Sequence, residues 1–274
     1  MSGVRWWLDG EPLASAEPLY RAWSYGDGVF RTLLRYSSQI IDCEGQLQHF
    51  QADAAALGLA APAAPRLEAW LQRAAGPERD CCLKLSCVRA GRRRGYRPEG
   101  DGCHVLVERA PAPVFETRAY RDGVVLDLAP VRAQWFDAGR GAKHLNRLDN
   151  VLASADWPSA VDERLLLDRD GQLVGGTRSN LFWVSSGHVH TPDIGHSGVR
   201  GRLRERVLEA CRELGRTSHA VSVGVEALDT ADEVFVTNSV IGIWPVARFG
   251  SRSWPAPGPV TRELTARIAH PGAL

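Results

Sequence analysis

The 274-residue sequence contains almost no lysine and carries almost no net charge. Lysine occurs only at Lys84 and Lys143, and the other 31 of the 33 basic residues are arginine. A net charge of +1 argues against a dedicated binder of nucleic acids or membrane surfaces. A codon preference for arginine explains the imbalance without any function. Chemistry that needs a neutral amine side chain nevertheless has only these two candidates.

Long apolar runs and paired cysteines are also missing. No stretch reaches the roughly 18 consecutive apolar residues of a membrane span, and the N-terminal region has no apolar core long enough for a signal peptide. The six cysteines form no CxxC pair, and no zinc-ligand spacing is found among Cys81, Cys82, Cys87, Cys103 and His104. We therefore expect reduced thiols, no bound metal and a cytoplasmic protein.

Hydrophobic periodicity and turn residues predict an α+β protein with two lobes. Strands are predicted at 5–8, 28–36, 82–89, 104–108, 124–131, 164–168, 181–184, 189–191 and 233–237. Helices are predicted at 43–57, around 67–74, at 145–155 and at 202–214. The proline-containing stretch near residue 111 separates an N-terminal lobe, 1–113, from a C-terminal lobe, 122–274, with 114–121 as the connection. No GxGxxG or P-loop motif supports a nucleotide-binding fold.

Lys143 lies where a glycine-bounded loop meets the helix predicted at 145–155. A lysine at such a place is in most proteins simply solvated. Alternatively, the positive potential of a helix N-terminus, with His144 and Arg147 nearby, lowers the pKa of the amine. A neutral amine of this kind can form a Schiff base with a carbonyl compound.

Two segments could bind an anion through backbone N–H groups. Residues 198–203, with the sequence GVRGRL, run into a helix whose first turn offers free donors. Residues 237–240, with the sequence TNSV, follow a strand and carry short polar side chains. Each signal is weak alone. Together with a Schiff-base lysine they fit pyridoxal phosphate, which needs one imine partner and one phosphate site.

The sequence KHLNRL at 143–148 resembles the lysine motif of the 4-amino-4-deoxychorismate lyases. These enzymes belong to the fold-type IV pyridoxal-phosphate enzymes, together with the branched-chain and D-amino-acid aminotransferases. Further segments are similar to boxes of that family and follow in the same order along the chain. They are YGDGVF at 25–30, RGY at 94–96, SNLF at 179–182, TPD at 191–193, GV at 198–199, ADEVF at 231–235, NS at 238–239 and WPV at 244–246.

This resemblance implies a homodimer of two-lobed subunits with the cofactor in a cleft between the lobes. Lys143 would hold pyridoxal phosphate as a Schiff base and then act as the base. The implied reaction converts 4-amino-4-deoxychorismate, a dicarboxylate, to 4-aminobenzoate and pyruvate, a step of folate precursor synthesis. Thr32 matches a threonine of the lyases and either assists proton transfer or is an ordinary strand residue with a satisfied hydroxyl.

The resemblance also implies two sets of binding residues. The positions matched to cofactor contacts are Lys143, His49, Asn146, Arg147, Gly175, Arg202, Leu203, Asn238 and Ser239. The positions matched to substrate contacts are Tyr25, Lys84, Arg89, Arg94 and Tyr96. Arg92 and Arg93 fit a solvated arginine loop as well as a substrate loop.

Two positions depart from the family pattern. Gly175 stands where the family usually has a glutamate that pairs with the pyridine nitrogen, and His49 stands where it usually has an arginine on the phosphate. Loss of one charged phosphate contact costs roughly 1.5–3 kcal/mol, so weaker cofactor binding is expected. If the ring nitrogen is merely unsupported, Gly175→Glu should tighten binding. Two alternatives stay open, an aminotransferase of the same fold and a cofactor-poor, non-catalytic paralogue.

Overall fold

Two sheets with helices packed against them make up the computed structural model, which describes residues 5–12, 20–91 and 95–273. The chain divides into two units. Unit 1 comprises Met1–Val114 and Ala142–Asn146, and unit 2 comprises Phe115–Gly141 and Arg147–Leu274. The first boundary lies within the connection expected at 114–121. The lysine segment, however, belongs to unit 1 rather than to the expected C-terminal lobe, because His144 forms an antiparallel bridge with Val29.

Unit 1 is built on an antiparallel sheet. Its strands are β1 (Arg5–Leu8), β2 (Glu11–Pro12), β3 (Gly28–Tyr36), β4 (Gln39–Ile40), β5 (Cys81–Arg89) and β6 (Cys103–Pro111). Its helices are α1 (Tyr20–Tyr25), α2 (Cys43–Ala56) and α3 (Ala64–Ala75). The strand order is β2-β1-β6-β5-β3-β4. Every neighbouring pair in this sheet is antiparallel.

One face of this sheet forms the core of unit 1. Val29 and Leu33 alternate along β3 and are fully buried. They pack with Leu47 and Phe50 of α2 and with Leu67 of α3 in one apolar cluster. Leu47, Phe50 and Ala54 of α2 recur at helical spacing, which explains why this face of the helix lies on the sheet.

The opposite face of the same sheet carries polar side chains. In the strand register Thr32 of β3 pairs with Lys84 of β5, and Lys84 pairs with Glu108 of β6. Phe30, two residues before Thr32, points to the same face because side chains alternate along a strand. All four residues are half-buried. This surface, Phe30, Thr32, Lys84 and Glu108, is called the polar face below.

Unit 2 contains a mixed sheet with helices. Its strands are β7 (Val124–Arg132), β8 (Glu163–Leu167), β9 (Leu173–Gly176), β10 (Asn180–Ser185), β11 (His188–Pro192), β12 (Ser218–Val221), β13 (Glu233–Asn238), β14 (Gly242–Phe249) and β15 (Arg252–Ser253). Its helices are α4 (Thr117–Arg121), α5 (Leu148–Ser154), α6 (Arg202–Glu213) and α7 (Pro259–Ile268), with 3-10 turns at Val225–Thr230 and Pro271–Ala273. The strand order is β12-β11-β10-β13-β14-β7-β8-β9, and β15 pairs with β14.

The core of unit 2 lies on the central strands. Phe182 of β10 stacks on Phe235 of β13 with ring centroids 5.0 Å apart. Val207 and Cys211 of α6 pack against these rings, together with Leu264 of α7. Parallel pairs occur at β11–β12, β14–β7 and β7–β8. The mixed sheet therefore agrees with the α+β class and excludes a simple parallel sheet.

One predicted element begins later than expected. The helix expected from residue 145 begins at Leu148 and ends at Ser154. Residues 143–145 instead lie alongside β3, where their backbone groups find partners outside any helix. None of the helices within the described ranges is both long and apolar enough to span a membrane.

Candidate active site

Lys143 lies in an extended segment that pairs with the start of β3. The N–H of Phe30 donates to the carbonyl of Lys143 at 2.8 Å, and the N–H of Leu145 donates to the carbonyl of Gly28 at 2.9 Å. Because α5 begins five residues later, the helix-end potential expected to act on the amine is not present. The lysine is held by strand-like pairing and not by a helix N-terminus.

The amine of Lys143 and the polar face come together around the ring of Phe30. The Nζ atom of Lys143 lies 4.8 Å from the ring centroid, and that of Lys84 lies 5.2 Å from it. Both distances are within the range of cation–π contacts. Lys84 also lies 3.9 Å from Glu108. The amines of both lysines of the chain therefore lie close to one aromatic ring, and Thr32 is the strand partner of Lys84.

A buried ion pair lies behind the lysine segment. Arg31 of β3 donates through Nε to Oδ2 of Asp53 on α2 at 2.7 Å. The carboxylate of Asp53 also accepts a hydrogen bond from the backbone of Lys143 and interacts with the charge of His49. Burial raises the pKa of Asp53, while Arg31 acts in the opposite direction. His49, matched to a phosphate contact, is half-buried one helical turn before Asp53.

Tyr25, at the end of α1 and just before β3, contacts residues 95 and 96 of the expected substrate loop. Tyr25 accepts a hydrogen bond from the N–H of Gly95 at 2.9 Å, and its ring lies 5.5 Å from that of Tyr96. Arg21 donates to the carbonyl groups of Gly95 and Tyr96. The two tyrosines expected to bind substrate are thus brought together. Arg94, the third expected member of this loop, lies outside the described residues.

Arg89 has a different role from the substrate contact that the resemblance implies. Its buried guanidinium donates to the carboxylate of Asp27 and to the carbonyl groups of Leu57, Gly58 and Gly100. These acceptors occupy Nε, Nη1 and Nη2. Arg89 therefore braces the turns around β5 and does not present its charge to a substrate.

Asn146 and Arg147 of the lysine motif belong to different units. Asn146 donates to the carbonyl of Gly26 at 3.0 Å, and a Cβ atom at Gly26 would approach the amide oxygen of Asn146 to 2.6 Å. Asn146 thus ties the lysine segment to the turn before β3. Arg147 is half-buried, belongs to unit 2 and immediately precedes α5.

In unit 2 the start of α6 is shaped to receive an anion. No side chain caps this helix, so the N–H groups of its first turn, which includes Arg202 and Leu203, face outward from the helix end. Asn180 donates to the carbonyl of Val199 at 2.8 Å. A Cβ atom at Gly201 would lie 2.1 Å from the amide oxygen of Asn180, so the close approach requires glycine.

The turn after β13 offers a second group of polar atoms. Asn238 accepts from the N–H groups of Val240 and Ile241, which fixes the turn through Ser239. Thr237 is fully buried, and its Oγ1 finds no hydrogen-bond partner within the described part of the chain. A buried hydroxyl of this kind is expected to meet a ligand or water.

Gly175 lies in β9 with a φ of +151°, a conformation that side-chain-bearing residues rarely adopt. A Cβ atom there would lie 2.9 Å from the carbonyl oxygen of Ser179. The neighbouring carboxylate of Glu163 is buried and accepts hydrogen bonds from Thr177 and Ser179. Glu163 therefore organises the turn after β9 and does not take the place of the missing glutamate.

Each unit by itself carries groups that suit a phosphorylated aldehyde cofactor. In unit 1, Lys143 offers an amine beside the Phe30 ring. In unit 2, α6 begins without a side-chain cap, and the hydroxyl of Thr237 has no hydrogen-bond partner among the described residues. The residues not foreseen from the sequence are Arg31, Asp53 and Glu163. The sequence signal for Arg31 was a charged residue at a core position, since Arg31 lies between Val29 and Leu33 on the same face of β3. No cluster of three metal-binding side chains occurs within the described ranges.

A family model described as class IV amino-transferase matches residues 28–249. An aminodeoxychorismate lyase from Vibrio harveyi is 28% identical over 88% of this chain and 90% of its own length. A D-alanine aminotransferase from Bacillus licheniformis is 25% identical over 91% of this chain and 89% of its own.

Solved structures show the same similarity. The crystal structure of 4-amino-4-deoxychorismate lyase from Pseudomonas aeruginosa superimposes with a TM-score of 0.92 and 32% identity. The superposition covers 98% of this chain and 100% of that one. The likeness therefore extends through both units, including the lysine segment and the start of α6.

Proposed function

The chain belongs to the class IV aminotransferase family, and from that premise we propose that it is an aminodeoxychorismate lyase. The α+β fold-type IV architecture expected from the sequence is confirmed. In the proposed reaction 4-amino-4-deoxychorismate gives 4-aminobenzoate and pyruvate. The observation that carries the proposal is that the amines of Lys143 and Lys84 lie 4.8 Å and 5.2 Å from the centroid of the same Phe30 ring, an arrangement that suits a lysine-bound cofactor and an anionic substrate.

The family is pyridoxal-phosphate-dependent, and this cofactor, when bound, acidifies the C–H bond beside the substrate nitrogen. Lys143 would hold it covalently. The first turn of α6 and the turn at Asn238 are each a group of polar donors of the kind that suits a phosphate. Once the amine of the substrate had displaced the cofactor from Lys143, the freed amine of Lys143 would accept the proton from the ring carbon that bears the nitrogen. The bond from the ring to the enolpyruvyl oxygen breaks, the ring becomes aromatic, and the leaving group takes up a proton as pyruvate.

Other side chains of the polar face would orient the substrate. Lys84 is a counter-charge for one carboxylate, and its partner Glu108 keeps the ammonium near Phe30. We propose that the hydroxyl of Thr32, on the same face as Lys84, passes a proton to the departing group. Tyr25 and Tyr96, whose rings lie 5.5 Å apart in unit 1, are further proposed substrate contacts.

The glycine at position 175 favours a lyase over an aminotransferase. Without a carboxylate on the pyridine nitrogen the cofactor is a weaker electron sink. Formation of an aromatic ring drives the lyase reaction, whereas amino transfer has no comparable driving force. The similarity to a D-alanine aminotransferase supports amino transfer as the second candidate. Amino transfer to a keto acid, without pyruvate release from aminodeoxychorismate, would favour it.

The test uses the two lysines of the chain. Protein incubated with pyridoxal phosphate should develop the visible absorbance of a lysine-bound cofactor, which borohydride removes, and should form 4-aminobenzoate. Lys143→Ala should abolish both, while the matched control Lys84→Ala should keep the absorbance. If the wild-type protein shows neither absorbance nor product, the proposal is wrong and a non-catalytic paralogue is the better description.

The resemblance to the lyases also suggests assembly and location. We propose a homodimer, which is supported by the apolar surface of α5, where Leu148, Val151 and Leu152 are exposed. A small-molecule substrate and no nucleic-acid or membrane partner fit the balanced charge. We place the protein in the cytoplasm because its cysteines are free thiols.

A further inference from the structure

Two buried charges of unit 1 meet next to the backbone of Lys143. Arg31 is 3% exposed and Asp53 is 6% exposed. Oδ2 of Asp53 lies 2.7 Å from Nε and 2.6 Å from Nη2 of Arg31. Because a buried charge without a partner is strongly unfavourable, each of these residues depends on the other.

The carboxylate has a second partner in the peptide N–H of Lys143. The carbonyl of Lys143 accepts from the N–H of Phe30 at 2.8 Å. Both backbone polar groups of the lysine are therefore held, one by α2 and one by β3. Its side chain starts from a fixed Cα atom and ends with the amine 4.8 Å from the centroid of the Phe30 ring.

Charge balance explains why the carboxylate is paired. An isolated carboxylate near a lysine favours the protonated ammonium, and only the neutral amine attacks a carbonyl. The guanidinium of Arg31 offsets the charge of Asp53. The pair can thus accept the N–H of Lys143 without adding net negative charge beside its amine.

We propose that Asp53, paired with Arg31, is a positioning residue that fixes the backbone of Lys143 and so directs its amine toward the cofactor. This role rests on the proposed function. It is distinct from the cofactor contact suggested for His49, because Asp53 acts on the lysine through its peptide group.

Two variants separate the loss of the acceptor for the N–H of Lys143 from the loss of charge balance between Arg31 and Asp53. The double variant Arg31→Met/Asp53→Leu removes both charges together and leaves Lys143 without its acceptor, while Asp53→Asn keeps an oxygen acceptor but leaves Arg31 unbalanced. Each protein is mixed with pyridoxal phosphate and trapped with borohydride over time, and the labelled lysine is located by peptide mass. With only two lysines in the chain, labelling at Lys143 and at Lys84 is easily distinguished.

The double variant should label Lys143 about tenfold more slowly than the wild type, the effect of one lost hydrogen bond to a charged group. In Asp53→Asn the unbalanced guanidinium should shift the pH dependence of the visible absorbance toward lower pH, because a nearby positive charge favours the neutral amine. A purely structural role for the pair would not move this pH profile.

Glu233→Gln is the control for general destabilisation. This buried carboxylate of unit 2 accepts from the N–H groups of Val260 and Thr261 at the start of α7. Its loss should lower the melting temperature while Lys143 is labelled at the wild-type rate. Labelling as slow as in the double variant would overturn the positioning role.

The outcomes for the two proposals are distinguishable. If the wild type labels Lys143 and both Asp53 variants match it in rate and pH profile, only the positioning role is wrong. If the wild type does not label Lys143 at all, the proposed function is wrong and the positioning role is overturned with it.

Discussion

At the scale of the residue, the chemistry of this protein depends on which side chains are scarce. The amines of Lys84 and Lys143 both lie close to the Phe30 ring. Arginine, which is abundant, stays protonated at every physiological pH and cannot serve as a Schiff-base amine. Arg31 and Arg89 instead act as buried braces with carboxylate and carbonyl partners. Lysine can lose its proton when its environment lowers its pKa, and arginine cannot. Lysine can therefore act as a nucleophile, while arginine acts only as a fixed positive charge.

Substitution of Gly175 measures how much a side chain at this position of β9 destabilises the protein. Gly175→Ala should lower stability by roughly 1–3 kcal/mol, because a φ of +151° is unfavourable for alanine and the Cβ atom meets the carbonyl of Ser179. The same strain opposes Gly175→Glu, so restoring the family's glutamate should destabilise the protein rather than simply tighten cofactor binding. Thermal unfolding measures the effect.

The matched control for this change is Gly195→Ala. No heavy atom lies within 4 Å of a Cβ atom built at Gly195, so its melting temperature should stay near that of the wild type. Equal melting temperatures for the two alanine variants would contradict the strain assigned to position 175.

At the scale of the element, the helical pattern that begins at Leu145 predicts α5 correctly but places its start three residues too early. Apolar residues recur at helical spacing from Leu145 onward, but Leu145 pairs with the turn before β3 and the helix begins at Leu148. Leu148, Val151 and Leu152 are 60%, 62% and 49% exposed. The apolar face of this helix is therefore not part of a core within the chain, which suits contact with a second copy.

Val151→Asp should disrupt the proposed homodimer. A buried charge in an apolar interface has no partner and opposes association. Light scattering should give a mass near the 30.0 kDa of one chain for the variant and twice that mass for the wild type. Val114→Asp, at another exposed valine, is the control that should leave the mass unchanged. A monomeric wild type would contradict the proposal.

At the scale of the whole molecule, distant segments complete each unit. The lysine segment returns from the middle of the chain to unit 1. The C-terminal region similarly supports the turn after β13. His270 is buried, and its Nδ1 accepts from the N–H of Gly272 at 3.1 Å. Its Nε2 must then carry the proton and donate to the carbonyl of Ser239 at 3.2 Å. The candidate phosphate turn thus depends on a neutral imidazole.

This dependence predicts a loss of stability in mild acid. Burial lowers the pKa of His270 below its ordinary value of 6.5, so the unfolded chain binds a proton more readily than the folded one. Stability should be full above about pH 6.5 and should fall as the pH drops below it. His270→Gln, which keeps a donor for Ser239, should show a smaller change in melting temperature between about pH 7.5 and about pH 5, which lie on either side of the ordinary histidine pKa of 6.5. An unchanged difference would exclude His270 as its source.

Most secondary structure could be predicted because it depends on local pattern. The strand expected at 28–36 has those bounds in the structure, and the helix expected at 202–214 ends one residue earlier. The alternation of apolar residues and the glycines that end helices are properties of neighbouring residues. The identity of the reactive lysine followed from its motif and from the scarcity of the alternatives.

The tertiary structure alone decided how these residues work. The sequence could not show that Lys143 pairs with β3, that Asp53 accepts its N–H, or that Arg89 is consumed by four acceptors. These contacts join residues far apart in the chain, and their geometry depends on how strands pair and helices pack. The sequence by itself determined the scarce lysines, the elements and the family boxes. Long-range pairing determined which charges are buried, which are balanced and which are left for chemistry.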